Sequence, residues 1–145
     1  MLMDVNVDKF PVILREKLKS NEISLPEAIE TEYSPIKAYR CVRRTIGEIR
    51  AIDREDMRSQ AELGVKPRFA GGDKNPDYYS TSFFTSLEIL NNTLKLPHPA
   101  KRGIVGNVFQ EGGPCLYNKD TTHVSWWMYE DVDISNFIFL EENNE

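Results

Sequence analysis

Arg40 is the residue whose setting most invites chemistry. Over Ile36-Lys37-Ala38-Tyr39-Arg40-Cys41-Val42-Arg43 apolar and polar residues alternate. On a strand this sends Ile36, Ala38, Arg40 and Val42 to one face and Lys37, Tyr39, Cys41 and Arg43 to the other. A guanidinium among apolar neighbours keeps its charge, and burying it alone is costly. Arg40 therefore calls for an anion, either the carboxylate of a structural ion pair or a group on a ligand. A second group of interest is Ser80-Thr81-Ser82, inside Asp77-Tyr78-Tyr79-Ser80-Thr81-Ser82-Phe83-Phe84, which reads as a strand. Thr85-Ser86-Leu87-Glu88 then has a capping-box pattern that opens a helix. Hydroxyls at such a junction can orient a ribose or phosphate, and they also occur there as strand formers and caps.

The third group is His123-Val124-Ser125-Trp126-Trp127-Met128-Tyr129-Glu130, which holds both tryptophans and one of the two histidines. So much aromatic surface either anchors a core or lines a pocket. Alternation places His123, Ser125, Trp127 and Tyr129 on one face, which reads as wet and aromatic, and Val124, Trp126, Met128 and Glu130 on a dry one. His123 is suited to general-base work near neutral pH, or to a structural hydrogen bond. No metal site is expected. Cys41, Cys115, His98 and His123 lack metal-ligand spacing, and both thiols are expected to be reduced. The chain has no phosphate-loop glycine pattern, dinucleotide fingerprint, serine-hydrolase elbow or internal repeat.

Elements able to position these groups can be read in outline. Phe10, Ile13, Leu14 and Leu18 predict an amphipathic helix from Asp8 to Ser20. Ser24-Leu25-Pro26-Glu27 predicts a short helix to about Glu32, ended by Ser34-Pro35. Asp53 to Leu63 predicts a third, with Asp53 as N-cap, Met57, Ala61 and Leu63 facing inward, and Gly64 as the stop. Pro67, Gly71, Gly72 and Pro76 mark a loop, Ile104 to Phe109 a strand, Gly112-Gly113-Pro114 a turn, and Asn136 to Leu140 a last strand. Helices first and strands last indicate an α+β fold with a mostly antiparallel twisted sheet. A length of 145 residues suits a single domain, with a helical part at 1–35, a sheet-containing core at 36–140 and an acidic tail at 141–145.

Charge is unevenly spread. The net charge of −5 divides into −3 over residues 1–35, +4 over 36–70 and −6 over 71–145. The basic island from Arg40 to Arg58 is interleaved with Glu48, Asp53, Glu55 and Asp56, so it forms no unopposed stripe and argues against duplex binding. No apolar run approaches the roughly 20 residues that span a bilayer, and the first residues lack the pattern of a secretory signal. The expected location is the cytoplasm.

Taken in order, Tyr39-Arg40 on an early strand, Tyr79-Ser80-Thr81-Ser82 at a strand end and a late strand with Glu130 resemble the arginine, Ser-Thr-Ser and glutamate elements of small ADP-ribosyltransferase-like domains. That resemblance implies NAD as ligand, with Arg40 and Tyr39 at its phosphates or ribose. It implies Ser80, Thr81 and Ser82 bracing the nicotinamide side, and Glu130 holding a ribose hydroxyl and polarising the bond that leaves. A guanidinium, hydroxyls and a carboxylate suit a diphosphate, a ribose-amide pocket and an oxocarbenium-like centre. The chain is also similar to short proteins of bacterial and phage accessory genomes, which implies a role in conflict or regulation.

Three functions follow. The first is a protein-binding, regulatory or inhibitory module, with Trp126, Trp127, Tyr129, Phe137 and Phe139 as core and interface. The second is an NAD-binding transferase-like enzyme built on Arg40, Ser80 and Glu130, with His123 as a further catalytic candidate and Trp127 beside the ligand. The third is a nucleotide or nucleic-acid binder using Arg40 to Arg58, with Tyr78, Tyr79 and Trp127 as stacking surfaces. A catalytic reading requires Arg40, Ser80 and Glu130 in one cleft. A partner surface requires exposed aromatics and an ion-paired Arg40.

Overall fold

The alternating stretch around Arg40 forms β1 (Ile36–Arg43), near the middle of a six-stranded sheet. The other strands are β2 (Thr81–Phe84), β3 (Lys101–Val108), β4 (Cys115–Asn118), β5 (His123–Trp126) and β6 (Ile138–Phe139). Their order is β4-β5-β2-β1-β3-β6, with every neighbouring pair antiparallel. The α-helices are α1 (Val12–Lys19), α2 (Gln60–Leu63) and α3 (Leu87–Leu94), so the α+β class holds. This computed structural model describes residues 5–43, 50–67, 70–94 and 101–140. Part of the basic island, His98 and the acidic tail lie outside the described residues. Among the described residues, no helix is long and apolar enough to cross a membrane.

Register assigns the faces. Arg40 opposes Ile104, Thr81 opposes Trp126, Phe83 opposes Val124, and Tyr39 opposes Phe84. Residues directly opposite share a face. Ala38, Arg40, Val42, Thr81, Phe83, Ile104, Val124 and Trp126 therefore point one way, and Tyr39, Ser82, Phe84, His123 and Ser125 the other. The first face, which Phe139 of β6 shares, is covered by Met57, Met128 and Phe137 to make the larger core. A second core gathers Phe10 and Leu14 from the N-terminal segment with Tyr78, Tyr79, Trp127 and Tyr129. The aromatic segment feeds both, and each tryptophan is 0% exposed. Its supposedly wet face is thus dry, because the N-terminal segment and the turn at 76–79 cover it.

Local chemistry explains where the elements depart from expectation. Pro11 lacks an amide hydrogen, so the expected first helix splits into a 3-10 turn at Val7–Lys9 and α1. Residues 24–32 form no helix. A segment that short nucleates poorly, and instead Leu25 enters the second core while the Glu30 and Cys115 main chains exchange hydrogen bonds of 2.8 and 3.1 Å. Asp53 caps as expected, but only a 3-10 turn at Arg54–Met57. Ser59 then provides its own capping box for α2, which ends at Gly64 with φ +70°. Met57 and Ala61 face inward while Leu63 is 59% exposed. Likewise Asn75-Pro76-Asp77 opens a 3-10 turn, so β2 starts only at Thr81. Neither cysteine is in a disulfide.

Candidate functional site

Where β2 begins, it meets the middle of β1 and the chain from Arg58 to Leu63. Between them lies a cleft of about 160 Å³ lined by Arg40, Arg58, Gln60, Asp77, Ser80, Thr81 and Ser82, among others. The turn at 76–79 delivers Asp77, and the α2 capping box fixes Gln60 at the first helical position.

Arg40 lines this cleft. Its Nε donates to the Asp56 carbonyl at 3.1 Å and its Nη1 to the Ser82 carbonyl at 2.9 Å. The guanidinium carbon lies 5.7 Å from the Phe83 ring centroid. Burial pushes the group down to about 10, which leaves it charged at neutral pH. No carboxylate of a described residue lies within ion-pair distance, and Nη2 makes no hydrogen bond to a described residue. A charge partly withdrawn from water, bonded to two carbonyls and attracted only at longer range by the Asp56 carboxylate, stays attractive to an anion.

The hydroxyls are already committed as donors to the main chain. Ser80 Oγ donates to the Asp77 carbonyl at 3.0 Å and Thr81 Oγ1 to the Met57 carbonyl at 2.5 Å. Both retain accepting lone pairs. Ser82 Oγ lies 3.1 Å from His123 Nε2, and His123 Nδ1 lies 3.5 Å from Ser125 Oγ. His123 does not line the cleft; it stands one hydrogen bond behind Ser82 and packs on Phe84. Burial pushes its imidazole below the ordinary 6.5, opposed by the Asp77 carboxylate.

That shift has a testable sign. Below about pH 6.5 the unfolded chain takes up a proton that folded His123 resists, so stability is full above that pH and falls as pH drops through the window beneath it. His123→Gln, which keeps a polar partner for Ser82, should flatten melting temperature against pH between about 7 and 5.5. The slope removed should be at most about 1.4 kcal/mol per pH unit. Equal slopes in the two proteins would show that His123 contributes no such linkage.

Glu130 lies elsewhere. It is exposed and follows β5, with its Oε2 2.7 Å from Arg58 Nη1. Arg58 also holds Glu62 at 2.7 Å and Glu55 at 3.0 Å. Burial works against the Arg58 charge, but its hydrogen bonds to these carboxylates outweigh it and push the group up. Glu130 therefore borders a neighbouring groove, which shares Arg58 and Leu63 with the cleft. Tyr39 is on the sheet face opposite Arg40, with Lys37 Nζ 6.0 Å from its ring centroid. Trp127 is wholly internal and donates from Nε1 to the Pro76 carbonyl at 2.9 Å, so its ring is core rather than a ligand-stacking surface.

Two cleft residues carry no motif and escape a reading of the sequence. Asp77 Oδ1 and Gln60 Oε1 are buried without a hydrogen-bond partner among the described residues. Also among the described residues, no cluster of three or more His, Cys, Asp or Glu is placed to hold a metal ion.

Comparison returns no relative. No protein family, curated protein or solved structure matches the chain.

Proposed function

We propose that this chain binds NAD at the Arg40 cleft, as the resemblance to ADP-ribosyltransferase-like domains implies. The observation that carries the reading is a half-buried guanidinium with no carboxylate of a described residue within ion-pair distance, lining a cleft beside Ser80, Thr81 and Ser82. Its size supports partial enclosure. About 160 Å³ is below the roughly 300–1,000 Å³ of pockets that surround a whole drug-sized ligand, so one portion of NAD enters and the rest lies outside. NAD would supply an ADP-ribosyl group joined to nicotinamide by a cleavable bond. Arg40 would take a phosphate through its uncommitted Nη2, while Ser80 and Thr81 would accept hydrogen bonds from ligand hydroxyls. The proposal is one of binding, since Glu130 is held by Arg58 and does not line the cleft.

Calorimetric titration with NAD, run beside Arg40→Ala, tests it. Saturable binding is expected in the wild type, weakened at least tenfold in the variant, in line with the roughly 1.5–3 kcal/mol of a hydrogen bond to a charged group. The variant should stay folded by circular dichroism, because Arg40 bonds only to two carbonyls in the described structure. Absence of binding at millimolar NAD overturns the reading.

A second reading, a protein-binding regulatory module, draws on a different surface. The aromatic segment is buried and offers no interface, but Val12 is 54% exposed, Ile13 37% and Leu63 59%. They line the groove that also holds Glu55, Glu62 and Glu130. An apolar patch edged by carboxylates suits a partner bearing basic side chains.

A further inference from the structure

We infer that Asp77 and Gln60 are ribose-reading residues, and that the cleft recognises a phosphoribosyl unit rather than a base. The inference rests on the proposed nucleotide binding at Arg40 and deepens it.

Four buried side-chain polar atoms lack a partner among the described residues, and two of them, Asp77 Oδ1 and Gln60 Oε1, belong to residues of this one cleft. An unmet buried acceptor is costly, and more so when charged. Two in one small cleft leave a cost in the free protein that a ligand's donors would relieve. Both atoms accept only, so what they recognise must donate. Arg40, on the same cleft, only donates and is cationic, so what it recognises must accept and be anionic. A ligand satisfying all three carries an anion and two nearby hydroxyl or amino hydrogens.

The phosphate and vicinal hydroxyls of a ribose 5-phosphate provide that set. Carboxylate recognition of ribose hydroxyls is a recurrent solution to the same problem. No aromatic side chain of a described residue lines the cleft; Trp127 and Tyr39 are placed elsewhere. A base would find no stacking surface inside. The cleft volume agrees, having room for a sugar phosphate and no dinucleotide. The ribose-holding role that the resemblance gives Glu130 thus falls by position to Asp77.

The test titrates the full chain with AMP, 2′-deoxy-AMP, UMP, inorganic phosphate and NAD, in the wild type and in Asp77→Ala. AMP and UMP should bind alike and compete with NAD. 2′-Deoxy-AMP should bind roughly tenfold more weakly, in line with loss of one hydrogen bond to a charged group. In Asp77→Ala the ribose-to-deoxyribose ratio should fall towards one. Its melting temperature should hold or rise, because the carboxylate oxygen left unmet in the cleft is removed with its cost. A purely structural Asp77 would instead lower the melting point on removal, which overturns the inference. Gln60→Leu should likewise weaken AMP without lowering the melting point. Binding of NAD with equal affinity for AMP and 2′-deoxy-AMP overturns the ribose assignment and leaves the NAD reading standing. So does phosphate binding as tightly as AMP. No binding of NAD or of any nucleotide overturns both.

Discussion

Gly113→Ala is expected to lower stability by about 4 kcal/mol or more, among the largest effects a single methyl can have. Gly113 has φ +129° and ψ 168°, a region of backbone space that is essentially glycine's alone. A Cβ there would stand 2.1 Å from the Trp127 carbonyl oxygen and 3.1 Å from its carbon. Those atoms are main chain and have no rotamer by which to withdraw. The neighbouring bonds hold them in place: Trp127 N donates to the Pro114 carbonyl at 3.0 Å and Tyr129 N to the Gly112 carbonyl at 2.8 Å. The Gly113 carbonyl itself receives Tyr33 Oη at 2.7 Å and Trp126 Nε1 at 3.2 Å. Relieving the clash would therefore loosen both tryptophans. Against a total of about 5–15 kcal/mol, that loss should drop the midpoint of urea unfolding severely or leave little folded protein.

Gly64→Ala isolates backbone strain from collision. Gly64 has φ +70°, and no atom of the described residues lies within 4 Å of the place an alanine Cβ would take, so its cost should be only about 1–2 kcal/mol. Similar losses at the two glycines would mean that the Trp127 carbonyl can yield.

How much of this was legible in the sequence depends on whether a residue's partners are near in the chain. The β1 alternation was legible, and Ala38 and Val42 are buried on the face that Arg40 shares. Asp53 and Gly64 were legible as caps because capping is chemistry within three or four residues. The strand β4 was not, since Cys115–Asn118 has little pattern of its own and is defined by pairing with β5 and by the bridge to Glu30. The turn signal Asn75-Pro76-Asp77 was present, with Asn75 Oδ1 accepting from Asp77 N at 2.9 Å, but the β-prone tyrosines after it outweighed it.

The site divides in the same way. Arg40 and Ser82 stand out because a charge among apolar residues and a hydroxyl run are visible in one dimension. Arg40 Nη1 meets the Ser82 carbonyl because β1 and β2 are neighbours, while the Ser82 hydroxyl turns to His123 on the other face. Asp77 and Gln60 look like ordinary surface polar residues, and what marks them, acceptors without donors, exists only once the chain is folded. Glu130 had the right type and order, but Arg58, with three carboxylates around it, decides where it points.

Trp127→Ala is expected to cost about 3–5 kcal/mol, the range for emptying a large aromatic site in a packed core. The indole is 0% exposed and belongs to the core of Phe10, Leu14, Tyr78, Tyr79 and Tyr129, residues brought together from distant parts of the chain. Its second task is directional. Nε1 donates to the Pro76 carbonyl at 2.9 Å and so ties the end of the aromatic segment to the turn that carries Asp77 and leads into Ser80. Trp127→Phe separates the two tasks. Most of the ring volume remains while the tether goes, so the stability loss should be nearer 1 kcal/mol, that of a single neutral hydrogen bond. On the proposed function, nucleotide affinity should then fall further than this small loss of stability accounts for, because the Asp77 wall of the cleft has lost its anchor. Chemical denaturation and nucleotide titration of the same two variants decide it. If Trp127→Phe binds as tightly as the wild type, the tether serves packing alone and the aromatic segment has no part in shaping the cleft.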